Sequence, residues 1–377
     1  MVEALNAAPE LGISASWFTI DDLGRLDRFI DQADALVICR VRYDSDVNCV
    51  FARARARGIP VLFDIDDLVF DGDYTYLIID SLDLDFESQR ILDSWFSYTG
   101  RLGATLRLCD GAITTSHYLA ERINAFFPRI NPRIVPNFLN RIQQARSEAI
   151  WDAKLKSNFE RDDRIHIGYF SGTPTHNHDF RIVSSALAKI LDEDSRVIVR
   201  VVGFLRPNEP IFRYGDRIEF YPLQDFLNLQ RLIGEVELNI APLQNNVFSN
   251  CKSELKYFEA AIVGTLTIAS PTFTFRTAIR DGQNGFLCGA HEWDKKLRAA
   301  IDIVYDLKQY TSLISSAYRH AQVCYGWNCQ AARIAAAVFG EASEAETRDH
   351  AEIDSASRAL GDGRIPEKYR LARTSGK

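Results

Sequence analysis

Short apolar runs alternate along this chain with stretches of helical periodicity, in two series. Apolar runs of about four to eight residues, bounded by turn residues, are typical of strands buried in a parallel sheet, with helices as crossover connections. The first series predicts strands at 14–20, 35–41, 60–66 and 111–116, and helices at 43–57, 117–125 and over most of 73–108. The second predicts strands at 165–170, 197–204, 218–222, 237–243 and 265–270, and helices at 179–191 and 223–234. The pattern therefore predicts an α/β fold with two parallel sheets.

A polar stretch with little periodicity, 135–163, separates the two series. The chain has 377 residues, more than the roughly 250–300 at which a single core stops growing, so we expect two domains with a cleft between them. The predicted organisation is an N-terminal domain at 1–140, a joint at 141–163, a C-terminal domain at 164–325, a closing segment at 326–342 and a charged, solvated tail at 343–377. Ligands of open parallel sheets bind beyond the carboxyl ends of the strands, so the loops there are the first candidates for function.

Composition narrows the class of protein. The net charge of −7 argues against a general nucleic-acid binder, which is normally basic. The seven cysteines form no C-x-x-C pair or other metal spacing, which favours reduced thiols and a cytoplasmic location. No apolar run approaches the roughly 20 residues needed to span a bilayer, and the segment MVEALNAAPELG is unlike a signal peptide.

The segment 250–270, NCKSELKYFEAAIVGTLTIAS, predicts a helix followed by a buried strand, yet its helical half carries Lys252, Lys256 and Glu259. We predict a helix from about 253 to 263, capped by Ser253 and ended by Gly264. At 100° per residue the three charged side chains fall within about 60° of one another. A separate apolar stripe is predicted to bury against the sheet: Leu255, Phe258 and Ile262.

This polar stripe suits a nucleoside diphosphate. A helix N-terminus favours phosphate, and Lys252 and Lys256 would add positive charge where a leaving diphosphate gathers negative charge. Glu259, one turn deeper, could accept two hydrogen bonds from a ribose diol. The alternative is a surface helix whose Lys–Glu pairs contribute only a few tenths of a kcal/mol each.

A second candidate is the loop FSGTPTHNHDF at 170–180, which follows a predicted strand and opens a predicted helix. Backbone N–H groups of Ser171, Gly172 and Thr173 could approach a phosphate, and His176 and His178 could donate to it. The His-x-His pair has no nearby cluster of acids or cysteines to complete a metal site. The alternative is a polar loop whose histidines cap the helix.

On the first sheet, the strand predicted at 60–66 ends in clustered carboxylates, Asp64, Asp66 and Asp67. Such a cluster can bind a hard cation, and the alternative is a set of acids that cap helices and pair with Arg40 or Arg42. His117 follows Ser116, a predicted N-cap, at the head of the next helix. We expect His117 either to face the cleft or to serve the cap.

The order of four strings, HIGYFSGTPTHNHDF, ELNIAPLQNNVFSNCKSELKYFEAAIVGTLTIASPTF, RDGQNGFL and EWDKKL, resembles the donor domain of GT-B glycosyltransferases similar to glycosyltransferase family 4. The closer similarity is to a bacterial polysaccharide and O-antigen branch with F-x-x-x-K-S-x-x-K-x-x-E followed by A-A-x-x-G. The matching positions are Phe248, Lys252, Ser253, Lys256, Glu259 and Gly264. Cys251 departs from the wider family, which has a glutamate there.

The resemblance implies two Rossmann-like domains facing across a cleft. It also implies a retaining enzyme of cell-surface polysaccharide biosynthesis, which moves a hexosyl or deoxyhexosyl group from a nucleotide-sugar donor to a saccharide or lipid-linked acceptor. No cofactor or metal is expected, and peripheral membrane association at the inner face is compatible with a lipid-linked acceptor. Lys252 and Lys256 would act on the leaving group. The donor would be bound by Ser171, Gly172, Thr173, His176, Ser253 and Glu259, and the acceptor side would be formed by Asp64, Asp66, Asp67 and His117.

Two further expectations follow from the resemblance. The segment 326–342 would be a closing helix that packs back on the first domain, and the first domain lacks the strand and glycine-containing loop with which such domains normally open. That absence and Cys251 favour one alternative, a non-catalytic nucleotide-sugar-binding or scaffold protein. A further alternative is a sugar-nucleotide epimerase of the same fold, which would turn over its substrate without an acceptor.

Overall fold

The computed structural model describes residues 1–173, 177–205 and 210–340. Ten parallel strands form two sheets in these ranges: β1 (Leu36–Cys39), β2 (Val61–Ile65), β3 (Gly111–Thr114), β4 (Pro132–Ile134), β5 (Ile165–Ser171), β6 (Val197–Gly203), β7 (Ile218–Tyr221), β8 (Leu238–Ala241), β9 (Leu266–Ala269) and β10 (Phe286–Leu287). The order is β1-β2-β3-β4 in the first sheet and β10-β9-β8-β5-β6-β7 in the second.

Helices connect the strands and cover the sheets. They are α1 (Val2–Asn6), α2 (Leu26–Ile30), α3 (Ser45–Ala56), α4 (Thr75–Ser81), α5 (Gln89–Leu108), α6 (His117–Phe126), α7 (Arg141–Lys156), α8 (Asn177–Glu193), α9 (Phe226–Gly234), α10 (Val247–Asn250), α11 (Leu255–Ala261), α12 (Phe273–Ala278), α13 (Trp293–Tyr305), α14 (Leu307–Tyr325) and α15 (Ala331–Phe339). Shorter 3-10 helices span Pro9–Leu11, Ile20–Arg25, Gly72–Tyr74, Pro210–Arg217 and Trp327–Cys329. No helix within the described ranges is long and apolar enough to cross a membrane.

The first sheet differs from the prediction at both ends. The strand expected at 14–20 was wrong, because that segment is a loop that enters the 3-10 helix Ile20–Arg25 through a capping box between Thr19 and Asp22. Phe18 packs against the core of the first sheet without joining it as a strand, and Trp17 remains 73% exposed. The edge strand β4, which begins at Pro132, was not predicted. Proline is tolerated at the first residue of an edge strand, where no ladder donor is required.

The second sheet follows the strand order of a doubly wound nucleotide-binding fold. β5, β6, β8 and β9 were predicted to within one or two residues because they are almost wholly buried and form nearly continuous apolar runs. β7 was predicted as closely, whereas the two-residue edge strand β10 was not predicted. β5 lies between β6 and β8, and the order reverses there. The crevice beyond the carboxyl ends of β5 and β8 is therefore the topological switch point.

The predicted joint contains α7, a regular helix that begins after the N-cap Asn140. No helix was predicted here from the sequence pattern, because α7 is polar over most of its surface and buries few residues. One of them is Trp151, which stacks on Tyr318 at 4.3 Å between ring centroids. The same indole lies 2.6 Å from where a Cβ on Gly264 would stand, so α7 packs closely against the turn after α11.

The closing segment brings α15 against α1, where Ile334 and Ala337 share an apolar cluster with Leu5 and with Ile113 of β3. Residues 341 and 342 and the predicted tail at 343–377 lie outside the described residues.

Candidate functional site

The two loops at the switch point are tied to each other. Asp179, buried near the start of α8, accepts a hydrogen bond of 2.8 Å from the backbone N–H of Gln244, in the loop after β8. In the loop after β5, Ser171 is buried and its hydroxyl donates to Thr173 O at 3.0 Å, while Gly172 and Thr173 are exposed. The backbone that was predicted to approach a phosphate therefore stands at the crevice, and its partner loop is held beside it.

Gly203, at the end of β6, allows this loop to sit where it does. Its φ is +94°, a region that favours glycine, and an added Cβ would lie 1.9 Å from Ser171 O. The backbone N–H of Phe204 donates to the same carbonyl at 3.0 Å.

The helix of the charged segment begins later than predicted. α10 ends at Asn250, and α11 starts at Leu255 with Glu254 as an uncapped N-cap, so Ser253 is not the cap. Instead Ser253 Oγ accepts a hydrogen bond of 3.0 Å from Asn137 Nδ2. Leu255, predicted to be buried, is 39% exposed, whereas Phe258 and Ile262 are buried as predicted. Gly264 ends the segment with φ +65°, in agreement with the prediction.

Tertiary contacts explain the break at 251–254. Lys252 O accepts from Thr274 Oγ1 at 2.8 Å, and Tyr325 OH donates to Glu254 Oε1 at 2.7 Å. These bonds hold the segment away from a continuous helical path. α11 has only seven residues, so the helix N-terminus contributes less than predicted, and the site depends on side chains.

Lys256 carries an unpartnered buried charge. Its Nζ is inaccessible to solvent, has no hydrogen-bond partner among the described residues, and lies 5.4 Å from the centroid of the Tyr169 ring. Burial lowers the pKa of Lys256 to about 8; Lys252 acts in the same direction, and Asp179 and Glu259 oppose it. A buried ammonium without an acceptor is costly, and an anionic ligand would satisfy it.

Glu259 lies one turn further along α11, partly buried. Its Oε1 accepts a hydrogen bond of 3.0 Å from Gln143 Nε2, which comes from the first turn of α7. Burial raises the pKa of Glu259 to about 7, against the opposing effects of Gln143 and Lys256.

Lys252 faces the first sheet. Its Nζ lies 5.1 Å from the centroid of the Phe248 ring, and its charge opposes the effect of burial, which raises the pKa of Asp67. Two residues predicted for opposite sides of the cleft, Lys252 on the donor side and Asp67 on the acceptor side, therefore lie within electrostatic range of each other.

Asp64 lies within β2, and the two acids that follow the strand are joined by an arginine. Arg40 Nη1 lies 3.0 Å from Asp66 Oδ1 and 3.3 Å from Asp67 Oδ2, so the ion pairs considered as an alternative are present. Burial, together with the charge of Asp66, raises the pKa of Asp64 to about 6. The acceptor-side role of these three acids stays a prediction.

The histidines occupy separate positions. His117 is the half-buried first residue of α6, and Ser116 caps the helix by accepting from the Leu119 N–H at 3.2 Å, as predicted. His178 Nε2 lies 3.4 Å from Asp83 Oδ1, so it contacts the first series of elements across the cleft. His176 lies outside the described residues. Within the described parts of the chain, no group of three or more potential ligands could hold a metal ion.

Cys251, the residue that departs from the wider family, does not face the crevice. It is fully buried and, with Phe248, belongs to the apolar cluster built on the first sheet. Burial strongly raises the pKa of its thiol, so it remains protonated at neutral pH.

Four residues of the site were missed or given no role in the sequence analysis: Tyr169, Asp179, Gln143 and Asn137. In the sequence, Tyr169 has the position of an ordinary strand residue, and Asp179 has that of an acid at the start of a helix. Gln143 and Asn137 act on Glu259 and Ser253 from 116 residues away, a distance over which local sequence patterns carry no signal.

The structure is similar to solved structures of glycosyltransferases. It aligns with HepE (Alr3699) of Anabaena in complex with UDP-glucose at a TM-score of 0.53 and 14% identity, covering 88% of each chain. It aligns with a glycosyltransferase of Rickettsia africae at 0.54 and 10% identity, covering 95% of this chain and 88% of that one. The sucrose-phosphate synthase of Thermosynechococcus elongatus gives 0.52 and 15%, covering 85% and 79%.

No protein-family model matches the chain, and no curated protein matches it in sequence. At these identities the likeness establishes the fold. The chain has the GT-B fold predicted from its sequence, with two parallel α/β sheets.

Proposed function

We propose that this protein is a glycosyltransferase that moves a sugar from a nucleoside-diphosphate donor to the hydroxyl of a saccharide or lipid-linked saccharide, with retention at the anomeric carbon. The solved structures it resembles include HepE bound to UDP and to UDP-glucose, and TarM of S. aureus in a complex that contains UDP. The donor would lie in the crevice between the loops after β5 and β8.

The observation that carries the proposal is the buried ammonium of Lys256 at the switch point. The ammonium has no hydrogen-bond acceptor in the described structure, and burial disfavours its charged form. It lies against Tyr169 of β5, the strand that leads into the exposed Gly172 and Thr173. A diphosphate would supply the missing acceptor. Glu259, with one carboxylate oxygen held by Gln143, would receive the ribose hydroxyls with the other.

In the proposed reaction the bond between the anomeric carbon and the diphosphate oxygen breaks, and the acceptor oxygen bonds to the same face of that carbon. The acceptor proton passes to the departing phosphate, so no protein nucleophile is needed. Lys252 and Lys256 would stabilise the negative charge that gathers on the leaving group through an oxocarbenium-like transition state. The protein would require no metal for this step.

Asp64, Asp66, Asp67 and His117 would form the acceptor side. The proximity of Asp67 to Lys252 supports this assignment, because an acceptor hydroxyl held there would meet the donor at its phosphate end. A location at the inner face of the membrane would suit a lipid-linked acceptor.

A second candidate is a protein that binds nucleotide sugars without turning them over. Burial of Cys251 in the first core favours it, because the position that carries an acid in the wider family is occupied here by an apolar contact.

Donor consumption distinguishes these functions. UDP-, GDP- and dTDP-sugars are incubated with the protein, with and without a mixture of saccharide acceptors, and free nucleoside diphosphate is measured. A transferase releases it faster with acceptor. A binding protein releases none, and an epimerase converts the donor sugar without acceptor and without release. Either of the last two results would overturn the proposal.

A further inference from the structure

The chain that leaves the first sheet runs beside the donor segment and contacts it twice. Asn137 Nδ2 donates to Ser253 Oγ, and Gln143 Nε2 donates to Glu259 Oε1, each at 3.0 Å. The two contacts lie six residues apart on each segment, at 137 and 143 on one and at 253 and 259 on the other. The end of the predicted first domain and the start of the joint therefore each hold one side chain of the proposed donor site.

Gln143 is itself firmly oriented. Asn140 Oδ1 accepts from the Gln143 backbone N–H at 2.9 Å, and Ser147 Oγ donates to Gln143 O at 2.8 Å. The residue is only 6% exposed, so its amide is largely shielded from water. Because its amide nitrogen faces the carboxylate, the bond favours the ionised form of Glu259, which can only accept.

We infer that Gln143 is a positioning residue for the donor site: its hydrogen bond holds one oxygen of the Glu259 carboxylate so that the second oxygen is available to the ribose diol. This inference rests on the proposed function. The donor-binding helix α11 alone would not hold Glu259 in this way, because the hydrogen bond comes from Gln143, in the joint between the sheets.

The surroundings of Glu259 determine the pH dependence that follows. Burial raises its pKa to about 7, and Gln143 and Lys256 are the groups that lower it. From α7, Lys154 is directed to the other end of the segment, where it donates to Gly264 O. From α14, Tyr325 is bonded to Glu254 and His320 to Tyr257. Removing the amide of Gln143 therefore raises the pKa of Glu259 further, and a larger fraction of the carboxylate is protonated at neutral pH.

The test is the affinity of the full chain for UDP, with GDP as a second probe, measured by calorimetry from about pH 6 to about pH 9. In Gln143→Met the affinity should fall roughly five- to tenfold near pH 7 and recover to within about twofold near pH 9, where Glu259 ionises without help. Gln144→Met is the matched control. Gln144 is an equally buried neighbour whose amide bonds Trp327 N and Glu148 instead, and its loss should leave the pH profile unchanged.

Gln143→Glu covers the case in which Gln143→Met does not fold. It keeps the length and polarity of the side chain but places a second acid beside Glu259, so its affinity should fall, and fall more at about pH 9 than at about pH 6. Unchanged affinity in the Gln143 variants, or an equal loss at every pH, overturns the inference while the proposed function stands. If the wild-type chain binds neither nucleotide, the proposed function itself fails and the inference with it.

Discussion

The ammonium of Lys256 lies against the face of the Tyr169 ring, 5.4 Å from its centroid, buried and with no hydrogen-bond acceptor in the described structure. Such a group destabilises the fold unless a ligand completes its surroundings. The relationship links stability to function, because the same charge that costs the empty protein free energy would bind a diphosphate.

Lys256→Met should therefore stabilise the empty protein and weaken nucleotide binding. Methionine keeps the apolar stem and removes the charge, so we expect a gain of roughly 1 kcal/mol or more in the free energy of unfolding near pH 7. The pKa of Lys256 is lowered in the folded state, to about 8, so the folded protein releases its proton first and the deficit of the wild type shrinks as pH rises from about 8 to about 10. Chemical denaturation across this range measures both effects. Lys189→Met, at an exposed site on α8, is the control and should show neither.

Glu259→Gln should remove discrimination for the ribose. The wild type is expected to bind UDP about tenfold or more tightly than 2′-deoxy-UDP, because an ionised carboxylate left without its diol remains desolvated. The variant should bind both about equally, and its donor KM should rise.

Lys252→Ala should lower kcat with a smaller effect on donor KM, since its charge acts on the leaving group. Unchanged kinetics in both variants would remove the donor assignment.

Asp67→Asn tests whether Asp67 acts on the acceptor side of the cleft or on the donor side. It removes the negative charge near Lys252 while keeping the shape of the side chain, so UDP should bind as tightly as before or a few-fold tighter. The acceptor KM should rise about tenfold if Asp67 holds acceptor hydroxyls. Asp71→Asn is the comparison, because Asp71 belongs to the same acidic stretch but caps the 3-10 helix Gly72–Tyr74. Loss of UDP binding with an unchanged acceptor KM would place Asp67 on the donor side instead.

Cys251→Glu should not restore a missing acid. The residue is fully buried in the cluster of the first sheet, so a carboxylate there would destabilise the protein by about 3 kcal/mol or more, whereas Cys251→Ala should cost about 1 kcal/mol. Melting curves and donor turnover check the two variants together. A Cys251→Glu protein that melts as the wild type does and turns over faster would mean that the side chain reaches the crevice.

The second sheet could be predicted from sequence because strands such as β6, buried on both faces, form apolar runs that need no other information. The start of α11 could not be predicted in this way and was expected too early, at 253. The path of residues 251–254 depends on Thr274, Tyr325 and Asn137, all distant in sequence. In the candidate site, too, local sequence predicts some features, and others depend on residues distant in sequence. The spacing of Lys252, Lys256 and Glu259 places them together on one segment, but burial of the Lys256 amine and the hydrogen bond from Gln143 to Glu259 arise only when α7 and β5 pack against it.

The most direct measurement is a thermal-shift comparison of the wild type, Lys256→Met and Lys189→Met in UDP, GDP, dTDP and their sugar conjugates. A nucleotide that binds the folded chain raises its melting midpoint in proportion to the logarithm of its concentration over Kd. The account predicts that at least one of these nucleotides stabilises the wild type and Lys189→Met, and that Lys256→Met, though more stable when empty, gains little or nothing from it. No shift in the wild type with any of them, or an equal shift in Lys256→Met, would contradict the claim that this buried lysine awaits a nucleoside diphosphate.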